Sequence, residues 1–483
     1  MDEHRRLFIG GAWEKPHSDE VLEVVSPHTE DVIATTAAAT PADVDRAVTA
    51  ARAAFDDGPW PRLDLADRLD AIARLAALYD ERRKEMASVI TDEMGAPTSF
   101  ARFAQATLPV MLMRAFAATA ESFPWEETRP GFFGGQLLVR HEPVGVVGAI
   151  VPWNMPQFLI IGKLAPALIA GCSIVVKPAP ETPLDAFLLA EMIAEVGLPP
   201  GVVSILPGGG EAGRALVEHP GVDKVAFTGS TAVGRQVAAA CGAGLKRVSL
   251  ELGGKSAAVV LDDADPTAVA EGVKLAALMN SGQACVAQTR VLVPEDRHDE
   301  LVDALAAMVQ ALPVGDPHDR ATEIGPLAAQ RQQQRVTGYI ASGIEQGARV
   351  VTGGTGLPEG IDRGWYVKPT LFDDVTNDMT IAREEIFGPV ISVIRYRDDA
   401  EAVRIANDSD YGLSGSVWTA DPDRGLEVAR RVRTGSFGIN GPYSMDPVGP
   451  FGGVKGSGLG RELGREGLEG YVETKAISGL STS

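Results

Sequence analysis

The chain has 483 residues, 45% of them hydrophobic, with 65 acidic against 44 basic side chains and a formal net charge of -21. A chain of this length exceeds what one hydrophobic core supports, so two or three domains are expected, with ample material to enclose a cofactor. The acidic balance has no basic run to offset it and opposes binding to nucleic acid or to an anionic membrane.

The first residues, Met1-Asp2-Glu3-His4-Arg5-Arg6, carry acids and only a short apolar stretch follows, unlike a secretory signal; a cytoplasmic location is expected. Residues 7–36 hold short apolar runs at 7–9 and 21–25, separated by Gly, Pro and His-Thr, which suggests edge strands. Thr40-Pro41 opens a helix as a cap followed by a first-turn proline, with Val44, Val48, Ala51 and Phe55 as its apolar stripe. Leu69, Ile72, Leu75 and Tyr79 mark the next helix. Residues 123–143 are punctuated by Pro124, Pro130, Gly131, Gly134 and Gly135 before Leu137-Leu138-Val139, and read as a hairpin excursion that interrupts a domain.

From 144 to 261 strands and helices alternate, at 173–176, 184–196, 202–206, 223–226 and 257–261, which is the pattern of a parallel sheet covered by helices. The longest uncharged stretch, 143–162, has the length of a membrane span, but Pro152, Asn154 and Pro156 in its middle favour a buried strand running into an active-site turn. A second α/β region spans about 254–456, with strands expected at 290–293, 390–395, 416–419 and 436–440. There is no internal repeat and no low-complexity linker.

Cys285 is the residue on which chemistry centres. It closes the run Asn280-Ser281-Gly282-Gln283-Ala284-Cys285 after a helical segment at 266–279, and the small neighbours leave room for a carbonyl to reach the sulfur. A lone cysteine is ordinarily an inert buried hydrophobe. Three other runs argue otherwise. In Val248-Ser249-Leu250-Glu251-Leu252-Gly253-Gly254-Lys255, an acid ends an apolar strand, and partial desolvation between leucines raises its pKa toward that of a base working near neutrality. In Pro152-Trp153-Asn154-Met155-Pro156, an amide pinned between prolines can donate to a developing oxyanion, worth about 3 kcal/mol when well placed. In Phe227-Thr228-Gly229-Ser230-Thr231-Ala232-Val233-Gly234, a strand at 223–226 gives way to a helix running to about Ala240, whose first amides and Ser230 hydroxyl suit a phosphate. This is not the Gly-x-Gly-x-x-Gly dinucleotide fingerprint.

Cys172, Cys241 and Cys285 are widely spaced with no Cys-x-x-Cys, so disulfides are not expected. The seven histidines, His4, His17, His28, His141, His219, His298 and His318, are scattered and none stands at metal-ligand spacing, so no catalytic metal is expected.

In this order, Asn154, Lys177, Glu251, Cys285, the run Glu385-Ile386-Phe387-Gly388-Pro389 and the closing Pro450-Phe451-Gly452-Gly453-Val454-Lys455-Gly456-Ser457-Gly458 resemble the aldehyde dehydrogenase superfamily over about residues 7–477. The resemblance implies an α/β fold: a Rossmann-like parallel-sheet nucleotide domain (1–122 and 144–253), a second α/β catalytic domain (254–456), and a small β oligomerisation element (123–143 and 468–483). It implies an NAD(P)-dependent enzyme in which Cys285 forms a thiohemiacetal and then a thioester. Asn154 and the Cys285 amide would hold the oxyanion, Glu251 would deprotonate the hydrolytic water, and Lys163 and Glu462 would relay that proton. For the cofactor it gives Lys177 to the adenosine ribose, Ser230 to the pyrophosphate, Glu385 to the nicotinamide ribose and Phe387 near that ring, with Trp153, Gly229 and Gly234 also cofactor-binding. Bland readings stand next to these roles: Lys163 snorkels, and Glu462 pairs with Arg461.

One position departs from the family pattern. Pro180 stands three residues after Lys177, where many members carry a glutamate that accepts from the adenosine 2′-hydroxyl. Glu181 is adjacent and no arginine is expected nearby to attract a 2′-phosphate, so NAD is expected with NADP left open. Homodimers or homotetramers are expected through the alternating strand 471–477. Near the family's substrate tunnel lie Met155, Leu159, Gly162, Met445 and Phe451, and with no arginine among them a medium or large apolar aldehyde is expected. The alternatives are a relative that passes the acyl group to coenzyme A, which would not need Glu251, and a non-catalytic NAD-binding structural protein.

Overall fold

A computed structural model describes residues 2–442 and 445–480. Of the expected C-terminal element 468–483, residues 481–483 lie outside the described residues, as does Met1 at the head of the chain. The described residues build two large sheets and two small ones.

The first large sheet has eight strands in the order Gly458–Leu459, Arg247–Glu251, Lys224–Thr228, Val146–Ile150, Ser173–Lys177, Val203–Ile205, Leu7–Ile9, Ala12–Glu14. The middle five run parallel, and the strand Leu7–Ile9 joins antiparallel at one side. Parallel strands buried on both faces read as continuous apolar runs, and Val146–Ile150 and Ser173–Lys177 are buried throughout. Residues 458 and 459 return the chain to this sheet after the whole second region and pair antiparallel with Leu250 and Glu251. Nothing in the linear pattern announces that return.

The second sheet has seven strands in the order Arg349–Thr352, Thr370–Asp373, Val390–Tyr396, Arg290–Pro294, Ala257–Val260, Gly415–Trp418, Gly438–Ile439. All pairs are parallel except the first. The strand expected at 436–440 shortens to two residues because Asn440 turns into the left-handed region at φ 53.

The excursion does form a hairpin, Glu126–Pro130 with Gln136–Pro143, and the C-terminal strand Val472–Leu480 adds to its outer side. Of the early runs, only 7–9 joins the large sheet; Val21–Val25 pairs with Val32–Ala37 in a separate three-stranded sheet.

Helix boundaries follow local rules. Pro41–Asp56 starts on a capping box between Thr40 and Asp43. The 30-residue helix Leu65–Met94 ends at Gly95, where φ is 77 and a Cβ would press on Pro326 and Pro27. No helix of the described residues is long and apolar enough to cross a membrane.

Candidate active site

The strand Val146–Ile150 and the helix Pro156–Ala170 are joined by a five-residue turn that carries Asn154. The backbone carbonyl of Asn154 accepts from Gln105 Nε2 at 3.0 Å and from Asn280 Nδ2 at 2.9 Å, so the buried Gln105 and the segment before Cys285 both hold the turn. Asn154 Nδ2 donates to the Gln283 carbonyl at 3.0 Å. A primary amide has two N–H groups, and this one keeps the second for the cavity it lines with Cys285.

Cys285 follows a strained stretch. Asn280, Ser281 and Gly282 all have positive φ, and a Cβ on Gly282 would strike the Gly388 carbonyl at 2.2 Å, so only glycine allows this close approach. The sulfur sits in the turn closed by Ala287 N–H to the Ala284 carbonyl. Burial, with the nearby carboxyls of Glu385 and Glu251, pushes the thiol up to about 12, while the backbone amides of Cys285 and Val286 favour the thiolate.

Around Cys285 and Asn154 lies a cavity of about 190 Å³. Trp153, Met155, Phe158, Leu159, Met445 and Phe451 supply its apolar wall, and Thr228, Gly229, Ser230, Glu385 and Phe387 its other side. Phe387, at φ 64, packs its ring edge-on against Trp153 with centroids 5.5 Å apart. Glu385 Oε1 accepts from Gly254 N–H at 3.0 Å, and burial raises its carboxyl to about 7. Gly162, expected beside the tunnel, does not line this cavity: a Cβ there would meet only Leu463 Cδ2, at 4.0 Å.

Glu251 ends its strand as expected, but its carboxyl turns away from the cavity. It lies toward Gly452, where an added Cβ would come within 2.7 Å of Glu251 Oε1, and neither oxygen has a hydrogen-bond partner. Burial first, then Glu462, raises it well above the usual carboxylate range; Lys163 and Arg461 pull the other way. Behind it, Lys163 Nζ donates to Glu462 Oε1 at 2.6 Å and to Thr228 Oγ1 at 2.7 Å, and both ionic groups are buried. Lys163 therefore does not snorkel, and the partner of Glu462 is Lys163 rather than Arg461, whose guanidinium donates to the Gly453 and Gly460 carbonyls.

A second cavity, of about 990 Å³, opens on the other side of the 227–230 turn. Lys177, Pro180, Glu181, the Gly208-Gly209-Gly210 loop and Val233 line it. Lys177 Nζ donates to the Pro178 and Gly208 carbonyls at 2.8 Å each, and burial lowers it to about 8. Ser230 is the N-cap of the 13-residue helix Thr231–Ala243, accepting from Val233 N–H. An elongated dinucleotide needs a recess for one nucleoside, a helix start for its phosphates and a carboxylate beside the reactive ring; these residues fit that requirement. Gly234 lines neither cavity. A Cβ there would lie 2.4 Å from Leu252 Cδ2, so its smallness serves the packing of helix on strand.

The sequence reading missed Arg331, Gln332 and Arg335. Gln332 and Arg335 line the cavity of Cys285, and Arg331 lines the larger one and forms an ion pair with Glu181. All three come from the first turns of the helix Gln330–Glu345, a polar run without a motif. The expectation that no arginine stands near Pro180 held only along the sequence; the fold brings Arg331 there. The Gly208–Gly210 loop carried a readable signal, three glycines after a strand. Among the described residues, no group of three or more His, Cys, Asp or Glu is placed to hold a metal ion.

The sequence model of the aldehyde dehydrogenase family matches residues 13–477. A geranial dehydrogenase of Castellaniella defragrans is 48% identical over 475 residues, covering 98% of each chain. Among solved structures, an aldehyde dehydrogenase of Mycobacterium tuberculosis complexed with NAD+ superposes with a TM-score of 0.97 at 50% identity, covering 99% of this chain and 98% of that one. A mutant aldehyde dehydrogenase C of Pseudomonas syringae, complexed with NAD+ and octanal, gives 0.96 at 42% identity, covering 99% of this chain and 97% of that one.

Proposed function

The chain belongs to the aldehyde dehydrogenase family and oxidises aldehydes with NAD, and on that premise we propose that Cys285 is the nucleophile, that the product is the free carboxylic acid, and that the substrate is a medium or large apolar aldehyde. Cys285 Sγ attacks the aldehyde carbon; as the C–S bond forms, the carbonyl electron pair moves to oxygen and the thiol proton passes to solvent, because at about 12 the resting group is a thiol. The free N–H of Asn154 and the Cys285 backbone amide receive the oxyanion. NAD, when bound, supplies the oxidant by accepting the hydride that turns the thiohemiacetal into a thioester. Lys177, Ser230 and Glu385 are the side chains that would hold it, with Trp153 and Phe387 packing beside its reactive ring. Glu251 then rotates from its place by Gly452 and takes a proton from the water that opens the thioester.

The observation that carries this reading is the pairing of an unspent Asn154 N–H with Cys285 in one apolar cavity that also contains Glu385. The apolar wall, and relatives named for geranial and solved with octanal, support the substrate class. We assign the eight-stranded unit to the nucleotide, the seven-stranded unit to catalysis, and the hairpin with Val472–Leu480 to assembly as a dimer or tetramer.

The test is an aldehyde panel with NADH formation read at 340 nm on the parent and on Cys285→Ala. The variant should lose aldehyde oxidation and keep its affinity for NAD+, measured by calorimetry. Appreciable oxidation by the variant, or a parent that prefers a carboxylate-bearing semialdehyde, would refute it.

A further inference from the structure

Behind the candidate active site, the adjacent parallel strands Lys224–Thr228 and Arg247–Glu251 turn one face toward the helix Pro156–Ala170 and the segment around Glu462. Side chains alternate along a strand, so Lys224 and Thr228 share a face of one strand, and Ser249 and Glu251 share a face of the other. The register pairs Thr228 with Glu251, which puts both sets on the same side of the sheet. Thr228 Oγ1 is the acceptor of Lys163, and Lys224 Nζ donates to Ser249 Oγ at 3.3 Å. Four ionisable groups are thereby enclosed together: Lys163, Glu462, Glu251 and Lys224, none more than 5% exposed.

Their charges balance only as a set. Lys163 and Glu462 neutralise each other at 2.6 Å, which leaves Glu251 and Lys224. Lys224 has no carboxylate within ion-pair distance among the described residues. Its ammonium rests 5.0 Å from the ring centre of Tyr471 and is otherwise buried. Charged or titratable groups face it from every side: Lys163 from the helix, Cys172 from the turn before Ser173–Lys177, Cys241 from the helix Thr231–Ala243, Glu462 and Glu473 from the C-terminal segment, and Asp223 next to it in the chain. Burial lowers it to about 8, and the attraction of Glu462 is the chief opposing influence, so it remains mostly charged at neutral pH. The same attraction acts back on Glu462. Glu251 is faced by Glu462, Lys163 and Arg461.

We propose that Lys224 is a positioning residue of the hydrolytic half-reaction, whose buried positive charge balances the enclosed cluster so that Glu251 can stand ionised and take a proton from water. This rests on the reading of Glu251 as the hydrolytic base. The proton count closes within the cluster. Water loses a proton to Glu251 as its oxygen bonds to the acyl carbon and the C–S bond breaks. Glu251 passes the proton to the Glu462 carboxylate, held in place by Lys163, and Glu462 then loses it to solvent. Without Lys224 the cluster loses one enclosed positive charge and retains a proton to higher pH, so deacylation, which needs Glu251 ionised, sets in later as pH rises.

The experiment is stopped-flow NADH formation by the full-length enzyme from pH 6 to 10, for the parent, Lys224→Met, Lys224→Arg and Glu251→Gln. Lys224→Met should keep the amplitude and rate of the NADH burst and move the acid limb of the steady-state rate upward by about one pH unit, and Lys224→Arg should return most of that shift. An acid limb that stays in place in Lys224→Met, or a burst that falls in step with the steady state, overturns the proposal. If Lys224→Met does not fold, Ser249→Ala and Tyr471→Leu, which loosen the hold on the ammonium, should each shift the limb in the same direction by less, and no shift in either also overturns it. Glu251→Gln separates the two readings. If that variant fails to spare the burst, the assignment of the base is wrong; if it spares the burst while the Lys224 variants leave the limb unmoved, only the role of Lys224 falls.

Discussion

Lys163 and Glu462, 299 positions apart in the chain, meet at 2.6 Å beneath the candidate base Glu251, and both are buried. An ion pair taken out of water is costly unless its geometry is good and its remaining hydrogen bonds are made. Lys163 makes its second bond to Thr228, and Glu462 is pinned through its backbone, which exchanges two hydrogen bonds with Phe451 in the wall of the apolar cavity. The pair is thus tied at one end to the eight-stranded sheet and at the other to the wall of the cavity of Cys285.

Glu251→Gln should give one NADH per active site in a burst and then nearly stall, because acylation and oxidation precede the step that needs a base. The pH profile carries the same information. Burial and Glu462 raise Glu251, and the base works deprotonated, so the deacylation-limited rate should climb with pH through a value above the ordinary carboxylate range. A first turnover as impaired as the steady state would mean that Glu251 instead takes the proton of the Cys285 thiol, the group whose own pKa it helps to raise.

The local runs around Asn154, Glu251, Cys285 and Phe387 were legible in the sequence because each pairs an unusual residue with glycines or prolines that a turn requires. What the sequence hid was direction. Three glycines of similar promise have different fates: Gly282 allows the backbone to pass under Gly388, Gly234 lets a helix sit on Leu252, and Gly162 faces Leu463. Helical spacing puts Leu159 and Gly162 near one another without saying which of them reaches the cavity, since that is set by the rotation of a helix buried on all sides. Arg331, Gln332 and Arg335 were invisible for another reason. They belong to a polar helix start that only long-range packing lays across the cleft.

That packing bears on cofactor choice. Arg331 and Glu181 form their ion pair at the rim of the cavity that contains Lys177 and Pro180, so the arginine next to Pro180 that could meet a 2′-phosphate is held by a carboxylate that would repel it. Glu181→Gln should release Arg331 and tighten NADP+ at least tenfold relative to NAD+, and Arg331→Gln should weaken NADP+ with little change for NAD+. Dissociation constants from calorimetry decide it; equal effects of either change on both cofactors would remove the pair from the adenosine subsite.

Assembly should depend on the hairpin and the C-terminal strand. Phe132 and Phe133 stand 95% and 99% exposed at the hairpin tip, and Val472–Leu480 forms the outer edge of a three-stranded sheet. Tyr471 is buried against Lys224, so the informative truncation ends after Tyr471 rather than before it. Light scattering should show that truncation, and Phe132→Ser with Phe133→Ser, shifting the enzyme toward smaller species. If both keep the parent's mass, another surface makes the contact.

The apolar wall gives the most direct handle on substrate choice. Met155, Leu159, Met445 and Phe451 border the cavity of Cys285, and each methylene of an aldehyde tail buried against them contributes roughly 0.8 kcal/mol. Leu159→Trp fills that space and should lower the ratio of kcat/KM for octanal to kcat/KM for acetaldehyde by about tenfold or more, the equivalent of ~1.4 kcal/mol or about two methylenes of lost contact. Gly162→Ala adds a methyl group that touches only Leu463, 4.0 Å away, and should leave the same ratio unchanged. The contrast separates the wall of the cavity from the packing behind it. If Gly162→Ala moves the ratio and Leu159→Trp does not, the tail runs along the other face of the helix Pro156–Ala170, and the cavity beside Cys285 is not where the substrate lies.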